Sequence, residues 1–224
     1  MIRIAIDGPG GAGKSTAAKA LAKKLGIIYV DTGALYRTIG YYVRSKNVDP
    51  KDADAVERLL PEISVELGYE NGAQVVYLNG ENLGDRIRTP EMSMYASAVS
   101  AIPAVRAFLL EAQREIARKN SVIMDGRDIG TVILPDADVK IFLTASNECR
   151  AKRRYDELSA KGIETTYDEV LSEMNERDHA DSTREVAPAV AAPDAVVFDN
   201  SWMEEPETVE GLLKIVREKT GATV

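Results

Sequence analysis

The chain has 224 residues, of which 45% are hydrophobic and 29% are charged, and its formal net charge is −8 at pH 7. This composition indicates one globular enzyme domain with room for an insertion, and the acidic balance argues against a protein that coats nucleic acid, which needs a broad basic surface. With a single cysteine, Cys149, and a single histidine, His179, the sequence excludes an internal disulfide and a zinc site built from these residues.

The first predicted elements are a buried strand and an amphipathic helix, separated by a glycine-rich loop. Residues 2–7 form a β-branched apolar run, and residues 15–25 carry apolar side chains at helical spacing. The intervening sequence GPGGAGKST matches G-x-x-x-x-G-K-[ST], a loop whose backbone N–H groups surround phosphate oxygens at a helix N-terminus. The residues expected to bind a nucleoside triphosphate are Gly8, Pro9, Gly10, Gly11, Ala12, Gly13, Lys14, Ser15 and Thr16. We predict that Lys14 neutralises the β- and γ-phosphates and that the Ser15 hydroxyl coordinates Mg²⁺.

Short β-branched runs alternate with longer helical patterns along the rest of the chain. Further core strands are predicted at residues 27–31, 122–125, 139–143 and 195–199, which favours an α/β fold with a parallel sheet. Residues 63–67 and 74–78 instead alternate with period two, and Asn71-Gly72 and Asn79-Gly80 are typical hairpin turns. We therefore expect an inserted antiparallel meander, followed by a helix over about 91–100. The insertion could have no role in binding, but in an open α/β fold it would lie near the carboxyl ends of the core strands, where ligands bind.

Charged side chains follow two of the predicted core strands. Thr32 and Arg37 come after the second strand and could face one anion at a helix N-terminus, although a solvated Arg37 fits this segment equally well. Arg127 and Asp128 follow the third strand, at the sheet edge where charged residues more often bind ligands than stabilise the fold. Asp125, at the end of that strand, could orient Mg²⁺ through water or could be purely structural.

Two groups of arginines lie further along the chain. Arg177, Asp181 and Arg184 are spaced i, i+4 and i+7, which predicts one helix face; by spacing alone, a solvated stripe of ion pairs is the simpler interpretation. The second group comprises Arg150, Arg153 and Arg154. It begins the helix after the fourth strand, and it suits either a mobile lid that delivers positive charge or an ordinary basic helix end.

Taken together, these segments closely resemble the bacterial-type cytidylate kinases, which transfer the γ-phosphoryl group of ATP to CMP or dCMP. The resemblance runs nearly end to end. It rests on GPGGAGKST at 8–16, DTGALYR at 31–37, RTPE at 88–91, ASAVSAIPAVR at 96–106, DGRDIGTVILPDADVKIFL at 125–143, and ERD and REVAP within 176–188. It implies a five-stranded parallel sheet flanked by helices, wound in the order 2-3-1-4-5. The implied P-loop core comprises residues 1–61 and 100–224, with an inserted acceptor-binding domain at 62–99 and a short lid near 152–164.

The resemblance also implies a role for each charged position. The acceptor-phosphate contacts would be Thr32, Arg37 and Arg127, with Thr32 standing where many members have Ser. The cytosine contacts would be Ser97, Arg106 and Asp128, and the ribose and phosphate contacts Arg177, Asp181 and Arg184. The catalytic set would be Lys14, Arg37, Arg127, Arg154 and Arg184, with Ser15 and Asp125 at the metal. Because a carboxylate accepts the N4 amino group of cytosine and repels O4 of uracil, Asp128 should favour CMP over UMP.

The implied cofactor is Mg²⁺, and the implied partners are the small molecules ATP and CMP or dCMP, with no nucleic acid. No apolar run reaches the roughly 18 residues that a membrane span requires, so we expect no membrane partner and a cytoplasmic location. A monomer is the default expectation. A P-loop kinase for another small acceptor, such as UMP or a sugar acid, and a non-catalytic ATP-binding module are the alternatives. A GTPase is disfavoured because the guanine-reading string N-K-x-D is absent.

Overall fold

The computed structural model describes residues 1–70 and 73–221, and it divides the chain into two compact units. The first unit comprises Met1–Tyr29 and Asn120–Val224, and the second comprises Val30–Lys119. The predicted Asn71-Gly72 turn lies outside the described residues. The strands are β1 (Arg3–Asp7), β2 (Ile28–Asp31), β3 (Val65–Glu70), β4 (Ala73–Leu78), β5 (Glu81–Asn82), β6 (Val122–Gly126), β7 (Val139–Thr144) and β8 (Val196–Asp199). The helices are α1 (Lys14–Leu25), α2 (Thr32–Ser45), α3 (Ala53–Leu59), α4 (Pro90–Ser100), α5 (Pro103–Lys119), α6 (Asn147–Ala160), α7 (Tyr167–Thr183) and α8 (Glu205–Thr220).

A five-stranded parallel sheet has the order β2-β6-β1-β7-β8, and four of its strands, β6, β1, β7 and β8, lie wholly within the first unit. Counted along the chain within this sheet, that order is 2-3-1-4-5, so the prediction is confirmed. Strand β1 lies in the middle, and Ile6 pairs with Asp125 of β6 on one side and with Ile141 of β7 on the other. Because parallel strands end at one edge of a sheet, Asp7 and Asp125 both lie at its carboxyl edge.

Helices α1 and α8 share one apolar core with the sheet. Ala18 and Leu21 of α1 and Leu212 of α8 are fully buried in a cluster that includes Ile4 and Ile141 of the strands. This is the amphipathic pattern that the sequence predicts for α1, because its apolar residues recur on one face at helical spacing. The helix therefore holds the glycine-rich loop, which precedes it, against the end of β1.

The turn between β8 and α8 contains the only tryptophan of the chain, Trp202, which is 97% exposed. Its neighbour Asn200 is buried, and the Asn200 Nδ2 atom donates a hydrogen bond of 3.1 Å to the carbonyl of Ala12. The Arg153 guanidinium donates to the Asn200 backbone carbonyl at 2.9 Å. This turn is therefore anchored beside the glycine-rich loop while its tryptophan points into solvent.

The second unit contains an antiparallel meander of β3, β4 and β5, in agreement with the prediction, packed with helices around its own core. Val65 pairs with Leu78 across the hairpin, and Tyr77 pairs with Asn82 of the short third strand. Helix α4 begins at Pro90, capped by the Thr89 hydroxyl, close to the predicted start. Among the described residues, no single helix is long and apolar enough to cross a membrane. Within this part of the chain, one pair of helices, α4 and α5, reaches that length and composition when taken together, and the pair is bent by 100°.

Helices α2 and α4 of this unit approach each other closely at Gly40. A Cβ atom at this position would lie 2.8 Å from Cβ of Tyr95 and 3.3 Å from the backbone nitrogen of Ala96. Real Cβ contacts are essentially never this short, so the small residue allows the two helices to pack. The glycine costs helix propensity, but it permits the contact.

We predict that Gly40→Ala destabilises the protein although alanine is the better helix former. The propensity gain is about 1 kcal/mol, whereas overpacking a well-packed interface costs about 1 to 3 kcal/mol. Circular-dichroism melting should therefore show a lower Tm for the variant than for the wild type. A variant that melts at a higher temperature would mean that α4 shifts at little cost.

Candidate active site

The glycine-rich loop that follows β1 adopts backbone conformations that side chains rarely tolerate. Gly8, Gly11 and Gly13 have φ values of 145°, 73° and 81°. At Gly8 a Cβ atom would lie 2.0 Å from the carbonyl oxygen of Leu143 in β7, so only glycine fits between the two strands. These constraints let the loop curl closely over the N-terminus of α1, where backbone N–H groups favour an anion.

Lys14 is the first residue of α1 and is buried. Its Nζ atom donates a hydrogen bond of 2.7 Å to the carbonyl of Pro9. Burial lowers the pKa of Lys14 well below its ordinary value, and the nearby positive charge of Arg127 lowers it further, while Asp125 acts in the opposite direction. An anion bound at this loop would favour the charged ammonium, because opposite charges stabilise each other strongly in a buried site.

The two residues predicted to hold Mg²⁺ are in direct contact. The Ser15 hydroxyl donates to Asp125 Oδ2 at 2.7 Å, and the Tyr29 hydroxyl donates to Asp125 Oδ1 at 2.8 Å. No group of three or more His, Cys, Asp or Glu side chains that could hold a metal occurs within the described part of the chain. This donor set, a hydroxyl with one carboxylate, fits Mg²⁺ that keeps waters and substrate phosphates as its other ligands.

Asp7, the last residue of β1, is a buried carboxylate that the sequence analysis did not single out. Its Oδ1 accepts the N–H of Ile129 and its Oδ2 accepts the N–H of Gly130, both at 2.7 Å. The pKa of Asp7 is raised to about 6, chiefly by burial and to a smaller extent by the charge of Asp128, while these two hydrogen bonds act in the opposite direction. Asp7 therefore binds the backbone of the segment that follows β6.

Three arginines surround the carboxylate of Asp181 in the first unit. The distances to its oxygens are 3.3 Å from Arg127 Nε, 3.8 Å from Arg177 Nε and 3.9 Å from Arg184 Nη1. Arg184 Nη2 also lies 3.9 Å from Asp128 Oδ1. Five of the predicted residues thus lie close together, namely Arg127, Asp128, Arg177, Asp181 and Arg184. Their guanidinium groups outnumber their carboxylates, which leaves positive charge for an anionic ligand.

The prediction that Arg184 continues the helix face of Arg177 and Asp181 is wrong. Helix α7 ends at Thr183, and Arg184 has an extended backbone with φ −60° and ψ 144°. The Arg184 Nε atom donates to the carbonyl of Ala187 at 2.7 Å, which fixes the chain just beyond the helix. Its guanidinium nevertheless reaches the predicted cluster, because the extended backbone carries the side chain there from outside the helix.

In the second unit, Asp31 organises the residues that follow β2. Its Oδ1 caps α2 by accepting the N–H of Ala34 at 2.9 Å, and its Oδ2 lies 2.7 Å from Arg37 Nη2. Arg88 Nη1 lies 3.7 Å from the same oxygen, and Thr32 is buried at the first position of the helix. Among the described residues, none provides a hydrogen-bond acceptor for the buried Arg37 Nε. Arg37 is therefore held by Asp31 rather than being the solvated cation that the segment alone allowed.

The second unit also contains two of the predicted cytosine contacts, Ser97 in α4 and Arg106 in α5. Arg106 is buried, donates to the carbonyl of Ser100 at 3.1 Å and lies with its guanidinium 5.6 Å from the ring centre of Tyr36. Ser97 is half-buried, and its carbonyl accepts the Ser100 hydroxyl at 2.8 Å. A buried arginine stacked on an aromatic ring has a fixed orientation, which suits recognition of a ligand group.

Arg150 in α6 has an internal structural role. Its Nε donates to the carbonyl of Ala145 at 3.0 Å, and its Nη1 donates to the carbonyl of Gly10 at 2.9 Å and to the Asp178 carboxylate. Its Nη2 donates to Asn147 Oδ1 at 2.5 Å. The guanidinium thereby connects the glycine-rich loop, α6 and α7. Arg150 is therefore a buried structural residue and not a solvated cation at a basic helix end.

Arg154 differs from Arg150 because its side chain is 26% exposed and pairs with Glu157 at 2.8 Å. The predicted lid segment, residues 152–164, covers the second half of α6 and the turn that leads to α7. Helix α7 begins with a capping box in which the Thr166 hydroxyl and the Glu169 carboxylate satisfy each other's backbone N–H groups. The catalytic role of Arg154 and the lid remain predictions.

A cavity of about 460 Å³ opens beside the arginine cluster of the first unit. It is lined by Pro9, Arg127, Phe142, Asn147, Arg150, Asn175, Asp178, His179, Asp181, Ser182 and Ala189. The lining joins the glycine-rich loop to α7, and its volume is that of a small-molecule site. Two of the residues predicted to bind the acceptor nucleotide, Arg127 and Asp181, line this cavity.

Sequence reasoning did not single out Asp7 and Asp31, and it assigned Arg150 to a lid or a basic helix end without foreseeing its internal contacts. Asp31 had an available signal, because an Asp directly before a helical pattern is a typical N-cap. Asp7 and Arg150 had no local signal. The partners of Asp7 lie 122 and 123 residues away, and the partner carbonyl of Arg150 on Gly10 lies 140 residues away.

A parallel sheet of this order, with a phosphate-binding loop after its central strand and a cluster of cations at the same edge, defines a P-loop kinase. The solved structure of a shikimate kinase from Bacteroides thetaiotaomicron shares this fold, with a TM-score of 0.50 and 15% identity over 99% of both chains.

The family is defined by sequence. A profile described as cytidylate kinase matches residues 4–218. A cytidylate kinase of Fervidobacterium nodosum is 50% identical over 218 residues, and one of Thermosipho melanesiensis is 51% identical over 217, each covering 97% of both chains. One of Mycobacterium avium is 48% identical over 97% of this chain and 96% of its own. The chain therefore belongs to the cytidylate kinase family, and the prediction of an ATP-dependent kinase for CMP or dCMP is confirmed.

The raised pKa of Asp7 predicts a specific pH dependence of stability. The native pKa of about 6 exceeds the ordinary value of 3.8, so the native state binds the proton more tightly than the unfolded state. The tighter proton binding of native Asp7 stabilises the fold fully at a pH below the ordinary pKa, and this stabilisation is lost as the pH rises through about 6. The free energy of unfolding should change by up to about 3 kcal/mol.

Asp7→Asn should remove this dependence. The free energy of unfolding of the variant, relative to the wild type, should increase as the pH rises from about 4 to about 7. Urea denaturation followed by circular dichroism at several pH values measures this difference. A difference that stays constant over the whole range would contradict the raised pKa.

Proposed function

We propose that this chain transfers the γ-phosphoryl group of ATP to CMP or dCMP, giving ADP and CDP or dCDP, through the residue roles set out below. The observation that carries the proposal lies within the first unit. There the buried Lys14 of the phosphate loop lies near Arg127, which in turn shares Asp181 with Arg177 and Arg184. Phosphoryl transfer needs this combination of donor-phosphate binding and converging cations, because its catalysis is mostly positioning and charge neutralisation.

The loop of residues 8–16 binds the ATP phosphates through its backbone N–H groups, and Lys14 neutralises the β- and γ-phosphates. Mg²⁺ would be held by the Ser15 hydroxyl with Asp125, where it would offset the negative charge that spreads over the transferring group. The contact of 2.7 Å between these two side chains supports the assignment, since both donors are hard oxygens.

The acceptor phosphate is bound by Thr32, Arg37 and Arg127, and the buried Nε donor of Arg37 supports this role. Ser97, Arg106 and Asp128 bind cytosine, and Arg177, Asp181 and Arg184 bind the ribose and the phosphate. The Asp128 carboxylate accepts the N4 amino group that distinguishes cytosine from uracil. No general base is needed, because the CMP phosphate is already an anionic nucleophile at neutral pH.

We also propose that residues 62–99 act as an acceptor-binding domain and that residues 152–164 act as a lid carrying Arg154. Closure would exclude water and so prevent hydrolysis of ATP. The chain would work as a cytoplasmic monomer on small nucleotides, without nucleic-acid or membrane partners. Its net charge of −8 supports binding of small anions in local pockets rather than on a broad surface.

Lys14→Ala should abolish phosphoryl transfer while the protein stays folded. Lys14 makes a charge contact at the reacting phosphates, and loss of such a contact costs at least about 100-fold in kcat. A coupled ADP-release assay measures the rate, and circular dichroism reports the fold. Lys23→Ala, an exposed lysine of the same helix, is the matched control and should keep full activity. Retention of more than about a tenth of the wild-type rate by Lys14→Ala would refute this role.

The substrate assignment predicts a preference for CMP and dCMP over UMP and AMP. Uracil places a carbonyl oxygen against Asp128, a mismatch of about 2 to 4 kcal/mol. Asp128→Ala should erode the preference chiefly by losing CMP, whereas Asp181→Ala should weaken CMP and UMP use alike and leave their ratio unchanged. Measurement of kcat/KM for the four nucleotides decides this. Equal use of UMP by the wild type would replace the cytidylate assignment with a broader nucleoside monophosphate kinase.

A further inference from the structure

The proposed cytosine-reading residue, Asp128, stands at the start of a single π-helical turn, Ile129–Ile133. The Asp128 carbonyl accepts the N–H groups of Val132 at 2.9 Å and Ile133 at 3.2 Å. The first N–H groups of any helix lack acceptors within the helix itself, so those of Ile129 and Gly130 need partners from elsewhere. Whatever binds them also fixes the two peptide planes that follow Asp128.

Asp7 provides both acceptors. One carboxylate oxygen binds the N–H of Ile129 and the other binds the N–H of Gly130, each at 2.7 Å. Because the two hydrogen bonds go to the two oxygens of one planar carboxylate, they define the orientation of the turn as well as its position. Asp7 is itself rigid, because it ends the central strand and pairs with Gly126 of β6 and with Phe142 of β7.

Gly130 packs closely against Asp7 and Lys140. A Cβ atom at Gly130 would lie 3.3 Å from Asp7 Oδ2 and 3.2 Å from Cδ of Lys140. Both distances are shorter than most Cβ contacts, so a side chain at this position would press the turn away from Asp7. The small residue therefore lets the two N–H groups reach the carboxylate.

Asp7 and Lys14 form their hydrogen bonds with other partners and not with each other. The Lys14 ammonium donates to the carbonyl of Pro9 at 2.7 Å, and each carboxylate oxygen of Asp7 is occupied by the turn. The two charges influence each other, but the hydrogen bonds of Asp7 point to the segment that carries Asp128.

We infer that Asp7 is a positioning residue for base selectivity, which holds the 128–130 turn so that the Asp128 carboxylate faces the N4 amino group of the acceptor base. This inference rests on the proposed role of Asp128. Asp7 touches neither substrate; it acts through the backbone of the turn.

The test uses Asp7→Asn, in which one of the two oxygens becomes an amino group that cannot accept an N–H. The ratio of kcat/KM for CMP to that for UMP should fall by about 10-fold, chiefly through a higher KM for CMP, with KM for ATP changed by less than about 3-fold. A purely structural effect would lower kcat/KM for both CMP and UMP and leave the ratio unchanged. Asp138→Asn is the matched control, because the Asp138 carboxylate also accepts a backbone N–H of β1, that of Arg3 at 2.7 Å, at the opposite end of the strand.

A double-mutant cycle isolates the route through Asp128. In an Asp128→Ala background, adding Asp7→Asn should leave the CMP to UMP ratio within about 3-fold, because there is no carboxylate left to position. Gly130→Ala provides a second approach to the same turn and should lower the ratio in the same direction, because the new Cβ atom would press against Asp7 and Lys140 while Asp7 keeps its carboxylate.

The outcomes are distinguishable. If folded Asp7→Asn keeps the wild-type ratio, or if its effect persists undiminished without Asp128, the inference is overturned. If Asp7→Asn does not fold, Gly130→Ala decides, and an unchanged ratio in that variant overturns the inference. If wild type uses UMP as well as CMP, the proposed substrate fails, and the inference that rests on it fails with it.

Discussion

Crowding of positive charge at the carboxyl edge of one sheet is the constraint on which the first unit depends. Burial lowers the pKa of Lys14 and the charge of Arg127 lowers it further, and Arg127 shares the Asp181 carboxylate with two further arginines. Such an arrangement is unfavourable by itself, because like charges in a poorly solvated site repel each other. A negatively charged ligand would relieve this repulsion, so the fold itself favours an anion at this edge of the sheet.

The glycine-rich loop and the core strands could be predicted because their signals are local. Glycines at fixed spacing, a Lys-Ser pair and a β-branched run all fall within sixteen residues, and each agrees with the others. The strand order could not be predicted from local signals, and it came from the resemblance to a known family rather than from periodicity. The same resemblance placed Arg127, Asp181 and Arg184 in one site, and the structure brings their side chains together.

What could not be predicted depends on where helices end and on contacts distant in sequence. The spacing of Arg177, Asp181 and Arg184 defines one face only while the helix continues, and α7 ends at Thr183. The bonds of Asp7 cross more than a hundred residues and become apparent only when β1 and the segment after β6 are placed side by side. The fold itself is shared with a shikimate kinase at 15% identity, so it does not define the acceptor. Side chains at the sheet edge carry that information.

The position of Trp202 has a consequence for how this protein can be observed. The emission of tryptophan depends on the polarity around its ring, and this ring is surrounded by solvent in the folded state as it is in an unfolded chain. Tryptophan fluorescence is therefore nearly blind to global unfolding here. Unfolding of this chain must instead be followed by circular dichroism, which reports on its helices and strands and not on one exposed ring.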